Sequence, residues 1–287
     1  MSQAIDGSIT RAGVRIRYLR RGPRRGPTRL LLHGLTANTN CFDGLLCAGL
    51  DAVDTVAIDL RGRGQSDQPR SGYAIGDHAA DVIAVLDALD LPRAMVCGHS
   101  YGGLLSVYLA ARHPQRVERL VVIDIAGPSV HNPAVLELIA PSLARLGTEW
   151  PSREAFLEAM RASPALGGYW DRDLAAYYGA DVRALPGGRV RVRTAPETIA
   201  QVISEGQKED WAALLAAVRA PSLLIHARGP FGPPGTPPIV LDDQARATVA
   251  ELSGCRYEVV PGNHMTMLFG DGALAVAGAI LAFTQAD

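Results

Sequence analysis

Lysine is nearly missing from this chain. Of its 28 basic residues all but Lys208 are arginine, a bias read first as genomic coding preference and only then as function. Excess charge of one sign is missing too. A net charge of −1 gives no electrostatic case for nucleic acid or an anionic membrane as a partner. No apolar run approaches the roughly 18 residues of a bilayer span, and the longest candidate, GALAVAGAILAF (Gly272–Phe283), is too short. The N-terminal MSQAIDGSITRAG lacks the apolar core of a secretory signal. Cys41, Cys47, Cys97 and Cys255 form no CxxC pair and no Cys/His cluster with metal spacing, which points to buried, reduced thiols and no metal. A cytoplasmic protein is expected. The last scarcity is local: from Ala227 to Val240, in LLIHARGPFGPPGTPPIVLDD, fourteen residues contain no carboxylate.

What is present is a regular α/β rhythm. At 287 residues, with 48% apolar and 20% charged side chains, the chain can bury a sizeable core as one large domain or two small ones. GVRIRYLRRG (Gly13–Gly22) alternates as a half-exposed antiparallel strand does. RLLLHG, DTVAIDL, RAMVCGHS, RLVVIDIAG, PSLLIHA and CRYEVVPG are short, nearly continuous Val, Ile and Leu runs, the pattern of strands covered on both faces. Helical periodicity separates most of them, at Ala74–Asp90, Tyr101–Pro114, Asp242–Ser253 and Gly272–Phe283. Alternation of this kind predicts an α/β fold with a mostly parallel central sheet flanked by helices.

One region departs from the rhythm. Residues 128–208 carry four helix-like stretches and no convincing strand. They are expected to form a helical cap over the C-terminal edge of a core built from 1–127 and 209–287, the edge where ligands bind in open sheets.

The chemistry centres on Gly98-His99-Ser100-Tyr101-Gly102, a G-x-S-x-G stretch with a strand before it and a helix after it. A sharp strand-to-helix turn projects the serine hydroxyl above the sheet, and the two glycines let the chain pass itself. Three more motifs fall at strand ends in order: His33-Gly34-Leu35-Thr36, Asp59-Leu60-Arg61-Gly62-Arg63-Gly64-Gln65-Ser66, and Gly262-Asn263-His264. On these four motifs the chain resembles the α/β-hydrolase fold family over almost its full length. The resemblance implies that the backbone N–H groups of Leu35 and Tyr101 form an oxyanion hole, that His264 is the general base, that His33 braces its loop, and that Asp59–Ser66 is a scaffold turn. Of the other histidines, His99 is fixed beside the nucleophile and His113 suits a helix C-terminus. His78 lies within a helix, His226 ends a strand as a packed residue, and His131 begins the cap and is a candidate for facing the pocket.

The acid is the difficult member. The family's usual acid follows the strand PSLLIHA, in the loop that lacks one. Asp242 and Asp243 come later, where carboxylates commonly cap a helix. Asp124, in VIDIA, ends a buried strand among apolar neighbours, where an unpaired carboxylate is expensive. Adjacent strands lie roughly 4.8 Å apart, so an acid one strand nearer the nucleophile is a small displacement. Several branches of the family are similar in this respect, among them haloalkane dehalogenases, a zearalenone lactonase and amide hydrolases of nicotinate and vitamin B6 breakdown. Against this, an Asp at the same strand end also occurs as a buttress where the usual loop holds the acid. Asp124 is the leading candidate, Asp242 or Asp243 the second, and no acid at all the third.

These residues predict acyl transfer to Ser100 with His264 as proton carrier, and no cofactor. A serine in place of an aspartate nucleophile excludes dehalogenase and epoxide-hydrolase chemistry. The expected partner is a small-molecule ester or amide, with a homodimer left open. A C–C bond or lactone hydrolase, and a slow-turnover ligand receptor of the same fold, use the same residues. Gly187-Gly188-Arg189-Val190-Arg191-Val192-Arg193 alternates with period two, so Arg189, Arg191 or Arg193 could turn toward the pocket and hold a substrate carboxylate. Trp150, Trp170, Tyr177 and Tyr178 read as cap core, with the lining of an apolar cavity by one of them left open.

Overall fold

In the computed structural model of the protein, which describes residues 4–127 and 132–285, the apolar runs assemble into one eight-stranded sheet. Its first members are β1 (Ile5–Arg11), β2 (Val14–Arg21), β3 (Arg29–Leu32), β4 (Thr55–Ile58), β5 (Ala94–His99) and β6 (Val117–Ile123). The chain then leaves the sheet for an insertion containing β7 (Glu149–Trp150), β8 (Val182–Ala184) and β9 (Val190–Val192), and returns as β10 (Ser222–Ala227) and β11 (Arg256–Val260). The spatial order is β1-β2-β4-β3-β5-β6-β10-β11. β1 and β2 pair antiparallel, β2 meets β4 antiparallel, and every pairing from β4 to β11 is parallel.

Period-two alternation of buried residues gives the sheet two apolar faces. Leu30, Val56, Val96, Val122 and Leu224 pack with α2 (Ile75–Ala88), α3 (Tyr101–Arg112) and α8 (Trp211–Ala217). Leu31, Ala57, Cys97, Val121 and Leu223 pack on the opposite face with α1 (Asp43–Cys47) and α10 (Gly270–Gln285). Burying one such aliphatic side chain contributes about 1.5–3 kcal/mol, so the two layers carry most of the fold. The remaining helices are α4 (Pro133–Ala144), α5 (Arg153–Arg161), α6 (Arg172–Asp181) and α7 (Pro196–Gly206) of the insertion, and α9 (Asp242–Glu251) before β11.

Topology places the site. From β3 the chain moves to β4 on one side, while β5 lies on the other side of β3. Connections that part in opposite directions leave a crevice at the C-terminal ends of the strands between them. His33–Thr36 follows β3 and Ser100 follows β5, so both motifs border that crevice.

Several local readings of the sequence are corrected. β11 is not covered on both faces: it is the sheet edge, and Val259 is 44% exposed. β1 precedes the first strand expected, because its alternation of Ile5, Gly7 and Ile9 with polar residues carries little apolar signal. The insertion does contain strands, in the order β7-β9-β8, but they are two or three residues long, too short to register as periodicity. Cys47 is exposed, whereas Cys41 and Cys97 are buried.

Candidate active site

Ser100 sits between the last residue of β5 and the first of α3 with φ 55° and ψ −123°, a conformation that L-residues rarely adopt. Strain of this kind costs on the order of 1–3 kcal/mol and persists only where the surroundings over-determine it. Here they do. The Ser100 N–H donates to Ile123 O (2.9 Å), and its carbonyl accepts the N–H of Gly103 (2.8 Å). Gly98 and Gly102 face each other so closely that a Cβ on Gly98 would overlap the Gly102 carbonyl, and one on Gly102 would overlap Leu32 O.

A hydrogen-bonded row runs from that serine. Ser100 Oγ lies 3.0 Å from His264 Nε2, and His264 Nδ1–H donates to Asp124 Oδ2 at 2.8 Å. Asp124 is fully buried just beyond β6, in a left-handed turn of φ 50°. Its N–H donates to Ile225 O and its other carboxylate oxygen accepts the N–H of Ala227, both at 2.8 Å. β6 thus delivers a carboxylate held by β10 to an imidazole from the loop after β11. Asp242 and Asp243 do not take part. Asp242 is nearly half exposed and pairs with Arg228, and Asp243 binds the N–H of Gln244 at the start of α9.

The His264 loop is fixed by neighbours to which the sequence assigned no such role. Asn263 Oδ1 accepts the N–H groups of Met265 and Thr266 (each 3.0 Å), while its amide donates to Pro230 O (2.9 Å) and to Ala165 O of the insertion (2.7 Å). His99 Nε2–H donates to the His264 carbonyl at 2.8 Å. Burial, and then the nearby His264, hold the His99 imidazole well below its usual range, so it braces as a neutral ring. The carboxylate-free loop contributes Phe231, whose ring meets His264 edge-on at 5.7 Å. Where the acid is absent, an aromatic wall stands.

The loop after β3 is held through its carbonyls. His33 Nδ1–H donates to Gly34 O (2.8 Å), Arg63 Nε–H to Leu35 O (3.0 Å) and Arg145 Nη2–H to Thr36 O (3.1 Å). His33 Nε2 accepts the N–H of Leu60 (3.0 Å), and burial lowers its pKa to about 4, so this ring is neutral with its proton on Nδ1. Among the described residues no hydrogen bond engages the N–H of Leu35 or Tyr101.

A family profile described as alpha/beta hydrolase fold matches residues 30–271. The chain belongs to the α/β-hydrolase fold family. A 2-(acetamidomethylene)succinate hydrolase of Mesorhizobium japonicum is 39% identical over 99 residues, 34% of this chain and 36% of that protein. Epoxide hydrolase 4 of Mus musculus is 32% identical over 130 residues, 45% of this chain and 36% of that one. The aligned stretches span about a third of these relatives' own length. Among solved structures, an E-2-(acetamidomethylene)succinate hydrolase superposes with a TM-score of 0.83 at 23% identity, covering 99% of this chain and 100% of that one. A thioesterase domain from the curacin biosynthetic pathway superposes with a TM-score of 0.79 at 16% identity, covering 98% of this chain and 100% of that one. At those identities the superpositions establish the fold.

In this α/β hydrolase a cavity of about 170 Å³ opens above Ser100 and His264. Its wall is mainly apolar, with Leu104 and Ile125 from the core, Leu143 and Val202 from the insertion, and Phe231 and Met265 from the flanking loops. Tyr177 and Tyr178 also line it, whereas Trp150 stacks edge-on against Phe156 and Trp170 lies flat on Tyr178, behind the wall. Arg189, Arg191 and Arg193 do not line it. Val190 and Val192 are buried, so the alternation that singled out the arginines turns them to the other side of the strand. Arg189 and Arg191 pair there with Glu149, and Arg193 donates to Ala180 O. His131 lies outside the described residues.

The arginine that does reach the cavity is Arg145, just past the end of α4. It is buried against Asp181, with Nη2 3.0 Å from Oδ2. Burial holds the Asp181 carboxyl above its usual range, an effect that Arg145 opposes without cancelling. Sequence offered no signal for this pair, because its members stand 36 residues apart on different helices.

Proposed function

We propose that this hydrolase cleaves small carboxylic esters with an apolar acyl group, through an acyl-enzyme on Ser100. The observation that carries the reading is the continuous row Asp124–His264–Ser100 at 2.8 and 3.0 Å beneath an apolar cavity. Asp124 holds the His264 proton on Nδ1, which leaves Nε2 as the base for the Ser100 hydroxyl. Attack of Oγ on the ester carbonyl forms a tetrahedral intermediate, whose oxyanion is received by the N–H groups of Leu35 and Tyr101. Each such donor, aimed at developing charge, is worth about 3–4 kcal/mol. His264 then gives its proton to the departing alkoxide, and the same imidazole activates water to release the acid. The insertion acts as a cap: with the neighbouring loops it excludes bulk water and selects the acyl group by size and polarity.

A second reading, amide cleavage on a carboxylate-bearing substrate, is favoured by the likeness to the Mesorhizobium hydrolase and by Arg145 at the cavity wall. Ester chemistry is preferred because Asp181 already neutralises that arginine.

A nitrophenyl ester series of increasing acyl length, run beside fluorophosphonate labelling, tests the proposal. Expected are prompt labelling that is lost in Ser100→Ala, and multiple turnovers that peak at a short apolar acyl chain. Slow single turnover would instead indicate a ligand receptor. Efficient cleavage confined to carboxylated amides would select the second reading.

A further inference from the structure

Arg63 is fully buried, and among the described residues no carboxylate lies within ion-pair distance of it. Other buried arginines nearby are treated differently. Arg61 holds Asp81 through two hydrogen bonds of 2.6 and 2.7 Å, and Arg17 holds Asp59 at 2.8 Å. A buried guanidinium without a counter-charge is costly, and it is tolerated where dipoles and aromatic rings take the place of the anion.

Here the substitutes are specific. Nε–H donates to Leu35 O at 3.0 Å, Nη1–H donates to Arg61 O at 2.8 Å, and the guanidinium carbon lies 5.3 Å from the centre of the Tyr101 ring. His78 Nε2 stands 3.4 Å from Nη1. Burial, and then Arg63 itself, keep the His78 imidazole far below its usual range, so that ring faces the cation as a neutral acceptor. The turn that carries Arg63 is itself locked, with its N–H on Leu60 O and its carbonyl accepting the N–H of Ser66. Asp59 ties the far end of the turn to the stretch after β3 by accepting the N–H groups of Gln65 and Thr39. One rigidly mounted cation therefore touches both residues whose N–H groups are left unengaged above Ser100.

We propose that Arg63 is a positioning residue of the oxyanion hole: seated between the Leu35 carbonyl and the Tyr101 ring, it holds in place the two residues that carry the N–H donors and sets a buried positive charge behind them. This rests on the serine-hydrolase reading above. In a poorly polarisable interior, a fixed charge close to a forming anion acts with little screening and without reorganisation. Its effect belongs to the tetrahedral state and not to the bound ester, which predicts how the kinetics should divide.

The test uses the whole protein with p-nitrophenyl butyrate, a trifluoromethyl ketone as a mimic of the tetrahedral adduct, and butyrate as a mimic of the ground state. Arg63→Met is expected to lower kcat about 100-fold with KM changed less than threefold. Ketone affinity should fall in parallel with kcat/KM, and butyrate affinity should hold. Arg63→Lys, which keeps the charge, and Arg63→Gln, which keeps a donor, should each recover part of the loss, and they replace Arg63→Met in the argument if that variant does not fold. Ketone affinity within threefold of wild type in the folded variants, whatever their thermal stability, overturns the proposal. A wild-type protein that neither turns over the ester nor binds the ketone removes the parent reading, and Arg63's role with it. An active wild type with an unaffected Arg63→Met variant removes only the role of Arg63.

Discussion

Asp124→Asn is the sharpest perturbation available, because both carboxylate oxygens are used as acceptors. Oδ2 takes the His264 Nδ1–H and Oδ1 takes the Ala227 N–H, each at 2.8 Å. An asparagine has one oxygen to offer. If that oxygen keeps the Ala227 N–H, the amide NH₂ faces His264 and forces its proton onto Nε2, where it points at Ser100 and cannot act as base. If the side chain flips, two donors collide at Ala227, and a buried unsatisfied N–H costs about 1–3 kcal/mol. The first arrangement breaks the row, and the second keeps it only at that cost. The corresponding exchange in a well-studied protease lowers turnover by about four orders of magnitude. At 1.36 kcal/mol per decade that is about 5 kcal/mol of transition-state stabilisation. Steady-state hydrolysis of p-nitrophenyl acetate, normalised by fluorophosphonate titration, should show kcat reduced by between about 10² and 10⁴, with the thermal unfolding midpoint little changed. Asp242→Asn and Asp243→Asn should remain within twofold of wild type. A tenfold or smaller loss for Asp124→Asn, or a large loss for either of the other two, would refute the assignment of the acid.

Three further outcomes are expected. Stability should fall as pH drops from about 6.5 toward 4, because the unfolded chain binds protons there that buried His33, with its pKa lowered to about 4, does not. His33 alone accounts for about 3 kcal/mol of that loss, with His78 and His99 adding in the same direction, and urea unfolding that is flat from pH 7 to 5 would contradict it. Gly98→Ala should destabilise by about 3 kcal/mol or more, since the new methyl overlaps the Gly102 carbonyl, which cannot move without opening the elbow; denaturant midpoints measure this. Asp181→Asn should lower stability by about 3–5 kcal/mol by stranding the buried Arg145 charge. The same change should raise activity on a hemisuccinate ester relative to the butyrate ester, as the freed guanidinium becomes available to a carboxylate; an unchanged ratio would show that Arg145 does not reach substrate.

Much of the fold was legible because burial on both faces writes itself as continuous Val, Ile and Leu: five such runs appear as buried strands, and the sixth as the exposed edge β11. The elbow was legible because its turn requires Gly98 and Gly102 at fixed offsets from Ser100. Asp124 could be nominated because a carboxylate among apolar neighbours demands a partner. The insertion was legible only as helix. Its strands are shorter than the period needed to detect them, and the alternation around Arg191 could not say which side was the inside. Arg145 and Phe231 left no local mark, since each acts through a partner distant in the chain.

By itself the sequence nominated a candidate nucleophile, base and turn residues, because these occupy positions dictated by local backbone geometry. The tertiary structure alone decided which carboxylate meets His264, which arginine borders the cavity, and which side chains hold the Leu35 loop. Those choices depend on strand order and on contacts across 100 or more residues, such as Asp124 with His264 and Arg145 with Thr36. A local pattern carries no information about such contacts until the sheet is assembled.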